Sequence, residues 1–254
     1  LNYGASLFEV YHKKKKINLI LNLGSKENYR YKHPNVGSTC GRYAGRISNS
    51  KFNIGNKKFI LNSNEGKNIL HGGKVGFSSR PWKKLNHIKN KIVYQLNSND
   101  GDQGFPGNLI VNCIYQLRNN FLIIKYKYKS NKSTHVNLTN HSYWNLEKNK
   151  KKMIFDHELK INSYKYLKIN KDLIPTGNFK NVKNSIYDFS KFKNLRKKLD
   201  YFKNKKLKNK FKGFDTTFIK KKSNNNLVGS LKNNNIQIDF FSNLPGVQLY
   251  SAQN

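Results

Sequence analysis

An all-β architecture, a sandwich of antiparallel sheets, is the fold class that the sequence predicts. Three observations carry it: apolar residues recur with period two more often than 3.6, short apolar runs are punctuated by Gly and Asn turns, and helical spacing is convincing only once. Residues 51–54 and 57–61 flank Gly55-Asn56, a two-residue hairpin loop of the primed type. In residues 109–117, Leu109, Val111, Cys113, Tyr115 and Leu117 share one face, with Ile110, Asn112, Ile114 and Gln116 on the other. After a turn at Arg118-Asn119-Asn120, Leu122, Ile124, Tyr126 and Tyr128 alternate with Lys125, Lys127 and Lys129. That alternation reads as a hairpin with one face buried and one wet. Residues 227–231 and 236–241 repeat the theme around Lys232-Asn233-Asn234-Asn235. Helical spacing is expected near residues 186–199, a short and very basic segment. The lysine-rich stretches 148–152 and 203–212 read as solvated loops.

With 254 residues the chain can bury a substantial core, as one large all-β domain or two small ones. No shift of composition marks a boundary, so residues 1–254 read as a single domain. Hydrophobic residues at 36% and aromatics at 13% exclude a wholly disordered basic chain. The longest apolar stretches, such as residues 17–23, are short and broken by Asn, which leaves no transmembrane helix. Leu1-Asn2-Tyr3-Gly4 opens in the manner of a strand, without a basic n-region and apolar h-region. Cys40 and Cys113 are too few for a disulfide scaffold and lack metal-ligand spacing. A soluble protein of the cytoplasm, monomeric or weakly dimeric and without membrane contact, is expected.

Lys and Arg number 49 against 13 Asp and Glu, a net charge of +36, which invites a nucleic-acid reading. The pattern favours compositional drift instead. Lysine is spread along the whole chain with Asn, Ile, Tyr and Phe, residues that share AT-rich codons. Lys also outnumbers Arg heavily, whereas base and phosphate readers favour the bidentate guanidinium. Weak, salt-sensitive attraction to polyanions is expected, and no specific nucleic-acid partner.

Four places carry candidate chemistry. Gly41-Arg42-Tyr43-Ala44-Gly45-Arg46 sets two arginines among glycines that allow close backbone approach. Read alone, it fits equally a β-turn with a surface Arg. Leu70-His71-Gly72-Gly73 frees the backbone to place an imidazole at the mouth of a pocket, or is a glycine turn beside a satisfied histidine. Asn140-His141-Ser142-Tyr143-Trp144-Asn145-Leu146 combines aromatic bodies with polar tips. Such a run suits the apolar face and hydroxyl rim of a sugar, or a wet strand edge over buried aromatics. Gly213-Phe214-Asp215 puts a carboxylate on a glycine turn in an acid-poor chain. His71, His141 and Asp215 lie too far apart in sequence, without paired local ligands, to favour a metal triad. No nucleophile elbow, P-loop or dinucleotide fingerprint is present.

Together these pieces resemble the aldose 1-epimerase (galactose mutarotase) family. The matching stretches run in the family's order: Asn2-Tyr3-Gly4-Ala5, residues 41–47, residues 68–77 with Arg80 and Trp82, and Gly104-Phe105-Pro106-Gly107-Asn108. They continue with residues 139–146, Ile174-Pro175-Thr176-Gly177, Gly213-Phe214-Asp215 and Pro245-Gly246-Val247-Gln248-Leu249-Tyr250, so they extend over essentially the whole chain. The resemblance implies a galactose mutarotase-like β-sandwich (supersandwich) that interconverts the α and β anomers of galactose or glucose without cofactor or metal. By motif, His141 matches the general acid that protonates the ring oxygen, and His71 a second active-site histidine that hydrogen-bonds the sugar. Arg46, Asp215 and Gln248 match residues that hold sugar hydroxyls, and Tyr143 is expected to line the cleft. Position 45 carries Gly where many members carry Asn, which affects one hydroxyl contact.

The resemblance also implies a general-base glutamate in a strand after Pro245–Tyr250. No acidic residue follows Asp239, and the first family strand is expected to precede Leu1, so the domain reads as clipped at both ends. A stretch without that carboxylate is expected to keep sugar affinity and to lose most turnover. Three rivals stand beside the epimerase reading: a non-catalytic sugar-binding remnant of the same fold, a hexose-6-phosphate 1-epimerase, and a nucleic-acid binder. Retention of both histidines favours an enzyme over a lectin. The His-Gly-Gly and Gly-Phe-x-x-Arg-x-Trp patterns favour the free sugar over its phosphate.

Overall fold

Strand-forming alternation builds the largest sheet where the sequence places it. The computed structural model describes residues 1–31, 33–204, 213–222 and 224–252. It divides into two compact units, Leu1–Trp144 and Asn145–Asn254. In the first, β1 (Lys83–Ile88), β2 (Lys91–Ser98), β3 (Leu109–Arg118) and β4 (Phe121–Ser130) form an antiparallel sheet in the order β4-β3-β2-β1. Leu109, Val111, Cys113 and Tyr115 are buried on one face. They pack with Tyr94, Leu96, Phe77, Trp82, Ala5 and Leu138. Large apolar side chains of this kind gain about 1.5–3 kcal/mol each on full burial.

Two of the expected inward residues come out on the surface. Leu117 is 58% exposed because β2 accompanies β3 only as far as Gln116, so the hairpin tip projects beyond the core. Tyr128, 56% exposed, lies on β4, the edge strand of the sheet. The smaller hairpin is present: Lys51–Ile54 pairs with Lys57–Ile60, and Gly55 takes φ 55° at the first central position of its turn.

Two further ladders of two residues each position the candidate chemistry. Thr139–Asn140 pairs with Thr39–Cys40, and Arg46–Ile47 pairs with Ile69–Leu70. Residues 41–45 join them, held by Asn137 N–H to the Arg42 carbonyl (3.1 Å) and Ala44 N–H to the Asn137 carbonyl (2.7 Å). Cys40 and Cys113 are both free and buried, and burial pushes the Cys113 thiol up to about 11, where it is inert at neutral pH.

The second unit holds two four-stranded antiparallel sheets. In one, Lys193–Asn194, β5 (Glu158–Ile161), β9 (Leu227–Lys232) and β10 (Gln237–Phe241) lie side by side in that order. In the other the order is β7 (Pro175–Asn181), β6 (Ser163–Ile169), β8 (Asp215–Lys220) and β11 (Gly246–Tyr250). Alternation on β8 buries Thr216 and Phe218, and Phe218 meets Phe189 and Tyr187 edge-on. The all-β class with antiparallel sheets is therefore what the chain adopts.

The helix lies later than the sequence expects: α1 spans Leu195–Asn204, not residues 186–199. Short polar side chains divert the backbone first. Ser185 Oγ accepts from Tyr187 N–H (3.1 Å) and Asp188 Oδ1 from Ser190 N–H (3.1 Å), local bonds that compete with helix. Asn194 Oδ1 then accepts from Lys197 N–H at 3.4 Å, in the place of an N-cap. Of the two lysine-rich stretches, residues 148–152 form a turn in which Lys150 Nζ donates to the Asn145 (2.6 Å) and Glu147 (2.5 Å) carbonyls. In the other, Lys203 and Asn204 end α1, and residues 205–212 lie outside the described residues.

Candidate active site

His141 follows directly on Asn140, the last residue of the ladder with Thr39–Cys40. Its backbone extends that pairing, with Gly37 N–H donating to the His141 carbonyl and His141 N–H to the Ser38 carbonyl, both at 2.9 Å. In extended chain, residues two apart face the same side. Tyr143 accordingly stands beside His141, ring centroids 5.0 Å apart, and its hydroxyl donates to the Pro34 carbonyl at 3.0 Å.

His71 arrives from the other ladder. It has φ 52°, the left-handed region that a non-glycine residue occupies at a cost of about 1–3 kcal/mol. The next residue explains why glycine follows: a Cβ on Gly72 would collide with the Gly41 carbonyl. That close approach brings His71 to His141, with ring centroids 5.4 Å apart and planes at 90°.

The tautomer of His71 follows from its partner. Gly45 N–H donates to Nδ1 at 3.1 Å, and the Gly45 carbonyl accepts from His71 N–H, also at 3.1 Å. Nδ1 is thus an acceptor, so the neutral ring carries its proton on Nε2. Burial first, then the neighbouring His141 and Arg46, push the His71 imidazole down to about 3. A neutral His71 is a hydrogen-bond donor through Nε2, and it leaves His141 without a cationic neighbour in the histidine pair.

Arg46 sits opposite Leu70, one residue before His71. Glu65 clamps it with two parallel bonds, Nε to Oε2 at 2.6 Å and Nη2 to Oε1 at 2.9 Å. The fork fixes the guanidinium plane beside the histidines. Gly45 has φ 89°, and nothing lies within 4 Å of where its side chain would start.

Asp215 and Gln248 form a second group, in the unit Asn145–Asn254. They lie on adjacent strands, where Thr217 pairs with Gln248 and Asp215 with Tyr250. Gln248 Nε2 donates to Asp215 Oδ1 at 2.5 Å, and Thr217 Oγ1 donates to Gln248 Oε1 at 2.5 Å. The carboxylate and carboxamide are thereby oriented on an exposed strand face. Among the described residues no cluster of three His, Cys, Asp or Glu side chains is arranged to hold a metal. No helix of the described residues is long and apolar enough to cross a membrane.

The motifs assign no site role to Glu65, Asn140 or Tyr115, and of the two arginines in residues 41–46 the resemblance names Arg46 alone. Glu65 carried one signal, its rarity as an acid among 13 in the chain. Arg42 is buried at 2% exposure and holds loop carbonyls, so only Arg46 of the two belongs to the site.

His71 also makes the first unit acid-sensitive. His71, with its folded pKa near 3, takes up a proton on unfolding between that pH and its unfolded value of about 6.5. Its contribution is therefore fully present above pH 6.5 and is lost as the pH falls toward 3, at about 1.4 kcal/mol per pH unit. His157 in the second unit is lowered in the same direction, chiefly by burial. The urea midpoint is expected to hold above pH 7 and to fall between pH 6.5 and 5, with His71→Asn flattening the slope. An unchanged midpoint down to pH 5 would contradict this.

The fold defines a class, that of the galactose mutarotase-like proteins. An aldose epimerase homologue from C. elegans superposes with a TM-score of 0.88 at 25% identity, covering 98% of this chain and 76% of that one. Galactose 1-epimerase from Lactobacillus acidophilus NCFM superposes with a TM-score of 0.85 at 29% identity, covering 98% and 73%. Galactose mutarotase from Sus scrofa is 33% identical over 241 residues, which cover 92% of this chain and 67% of that protein. The chain thus spans about two thirds of the length of that relative. The family profile described as aldose 1-epimerase matches residues 1–254. The chain belongs to the aldose 1-epimerase family.

Proposed function

We propose that this chain binds a free hexose such as galactose or glucose and interconverts its anomers. The observation that carries the reading is the perpendicular His71–His141 pair, its rings 5.4 Å apart, with a tyrosine and a clamped arginine at its side. Ring opening requires the C1 hydroxyl to lose its proton while the ring oxygen gains one and the C1–O5 bond breaks. Rotation about C1–C2 and reclosure then give the other anomer. His141 supplies the proton to the ring oxygen and recovers it on reclosure, a role worth about 10²–10⁴ in rate. His71, neutral with its proton on Nε2, donates a hydrogen bond to the sugar without competing for the proton. Arg46 holds a hydroxyl and Tyr143 offers an aromatic wall to the ring's C–H face, while a hydroxyl-holding role for Asp215 and Gln248 is what the resemblance implies. Gly45 gives up the side-chain contact that Asn makes in other members and keeps its backbone bonds to His71.

The base is the open half. The resemblance expects a glutamate past Pro245–Tyr250, and residues 249–254 contain no carboxylate. The chain is expected to bind galactose and to accelerate anomer exchange over buffer. Galactose titration followed by NMR, with two-dimensional exchange spectroscopy on the same sample, tests both parts. Saturable binding with acceleration over buffer supports the reading. Binding with no acceleration supports the non-catalytic sugar-binding alternative. Absence of binding at millimolar galactose overturns both.

A further inference from the structure

We propose that Asn140 is the positioning residue of the site, setting where the His141 imidazole stands. The inference rests on His141 acting as the acid, and goes beyond that reading to what holds it. The Asn140 carboxamide has two N–H donors and two acceptor lone pairs. All four are used: Nδ2 donates to the Gly37 carbonyl at 2.8 Å and to the Tyr115 hydroxyl at 3.1 Å. Oδ1 accepts from Ser142 N–H at 3.2 Å and from Ser142 Oγ at 2.6 Å. A reversed amide would set its NH₂ against the Ser142 N–H, so only one orientation satisfies the set.

The partners are themselves held in place by burial and hydrogen bonds. Tyr115 is buried on β3, and its hydroxyl donates to the Ala5 carbonyl at 2.7 Å, which leaves its lone pair directed to Asn140. Gly37 is also the residue whose N–H donates to the His141 carbonyl, so one short segment grips both Asn140 and His141. On the other side, the Asn140–Ser142 bonds form an Asx-type turn that spans His141. The backbone of His141 is thus held from residues 37 and 38, and its two neighbours are tied to each other across it. Since reacting groups need placement within about 0.5 Å, and an error of about 1 Å costs about 10²-fold, this bracket bears on rate.

The decisive variants are Asn140→Asp, which keeps the acceptor for Ser142 and loses both donors, and Tyr115→Phe, which removes one partner at nearly constant volume. Asn140→Asp is expected to lower the anomer-exchange kcat about 10²-fold with KM for galactose within about threefold. Tyr115→Phe is expected to give a smaller loss of the same kind. The second readout is the ring ¹⁵N spectrum of His141, assigned by its loss in His141→Gln, whose shifts and titration midpoint are expected to move in both variants. If Asn140→Asp does not fold, Tyr115→Phe and the His141 spectrum decide. A lower melting temperature with kcat and the His141 signals unchanged would make Asn140 merely structural and overturn the proposal. If the unaltered chain exchanges no anomers, the functional reading fails separately, and the spectrum still decides whether Asn140 places the imidazole.

Discussion

Replacing His141 by glutamine is expected to return anomer exchange to the buffer rate while galactose affinity changes by less than about tenfold. The asymmetry comes from what each group does. Glutamine keeps a hydrogen-bonding tip of similar reach, so contact with a ring oxygen in the ground state survives. It cannot deliver a proton near neutral pH, and general acid catalysis supplies about 10²–10⁴ of the rate. Loss of turnover without loss of binding is the signature of an interaction made in the transition state. The same substitution at His71 separates the two histidines. His71 is already neutral and donates through Nε2, a function that the NH₂ group of glutamine or asparagine reproduces in part. His71→Asn is therefore expected to raise KM and spare more of kcat than His141→Gln. Equal losses in kcat from both would show that the proton passes through His71 as well. NMR exchange measurements over a galactose concentration series give both constants.

The fold was legible wherever one face of a strand is buried, because alternation then records the sheet directly. Leu109, Val111, Cys113 and Tyr115 are buried as their spacing requires, and Gly55 turns its hairpin as its left-handed φ allows. The helix was misplaced because apolar spacing over residues 186–199 does not show that Ser185 and Asp188 bond their own backbone first. The site was legible as motifs and illegible as contacts. His71-Gly72-Gly73 announces a close approach, but only the structure shows that the surface approached is the Gly41–Arg42 peptide. Glu65 lies 19 positions from Arg46 and Tyr115 lies 25 from Asn140, separations at which no local pattern survives. The division at Trp144 and Asn145 has no compositional mark because both units draw on the same strand alphabet and the same lysine excess.

The largest expected effect on stability belongs to Arg42, which the sequence sets among the same glycines as Arg46. The residue is 2% exposed, and its guanidinium acts as a hub for loop carbonyls. Nη1 donates to Pro106 (2.8 Å) and Gly107 (3.0 Å), and Nη2 to Ser98 (3.1 Å) and Asn99 (3.2 Å). Nη2 also reaches Ser98 Oγ at 2.6 Å, and that hydroxyl bonds to Asp102, which Arg80 holds at 2.6 Å through both oxygens. Burial lowers the Arg42 pKa to about 10, with Asp102 opposing the shift, so the group stays charged at neutral pH. Arg42→Ala strands the buried carbonyls of Pro106, Gly107 and Ser98, and removing one member of a buried charged network costs about 3–5 kcal/mol. Arg42→Lys keeps the charge but offers three donors from a point rather than a planar fork, and a smaller loss is expected. Because Arg42 belongs to the segment joining the two ladders that carry His141 and His71, the damage reaches the site. Galactose affinity is expected to fall together with the urea midpoint, unlike in His141→Gln, where the midpoint holds. Urea unfolding of the two variants side by side checks this, and an unchanged midpoint in Arg42→Ala would mean that water already reaches the 98–107 loop and that the arginine is not what closes it.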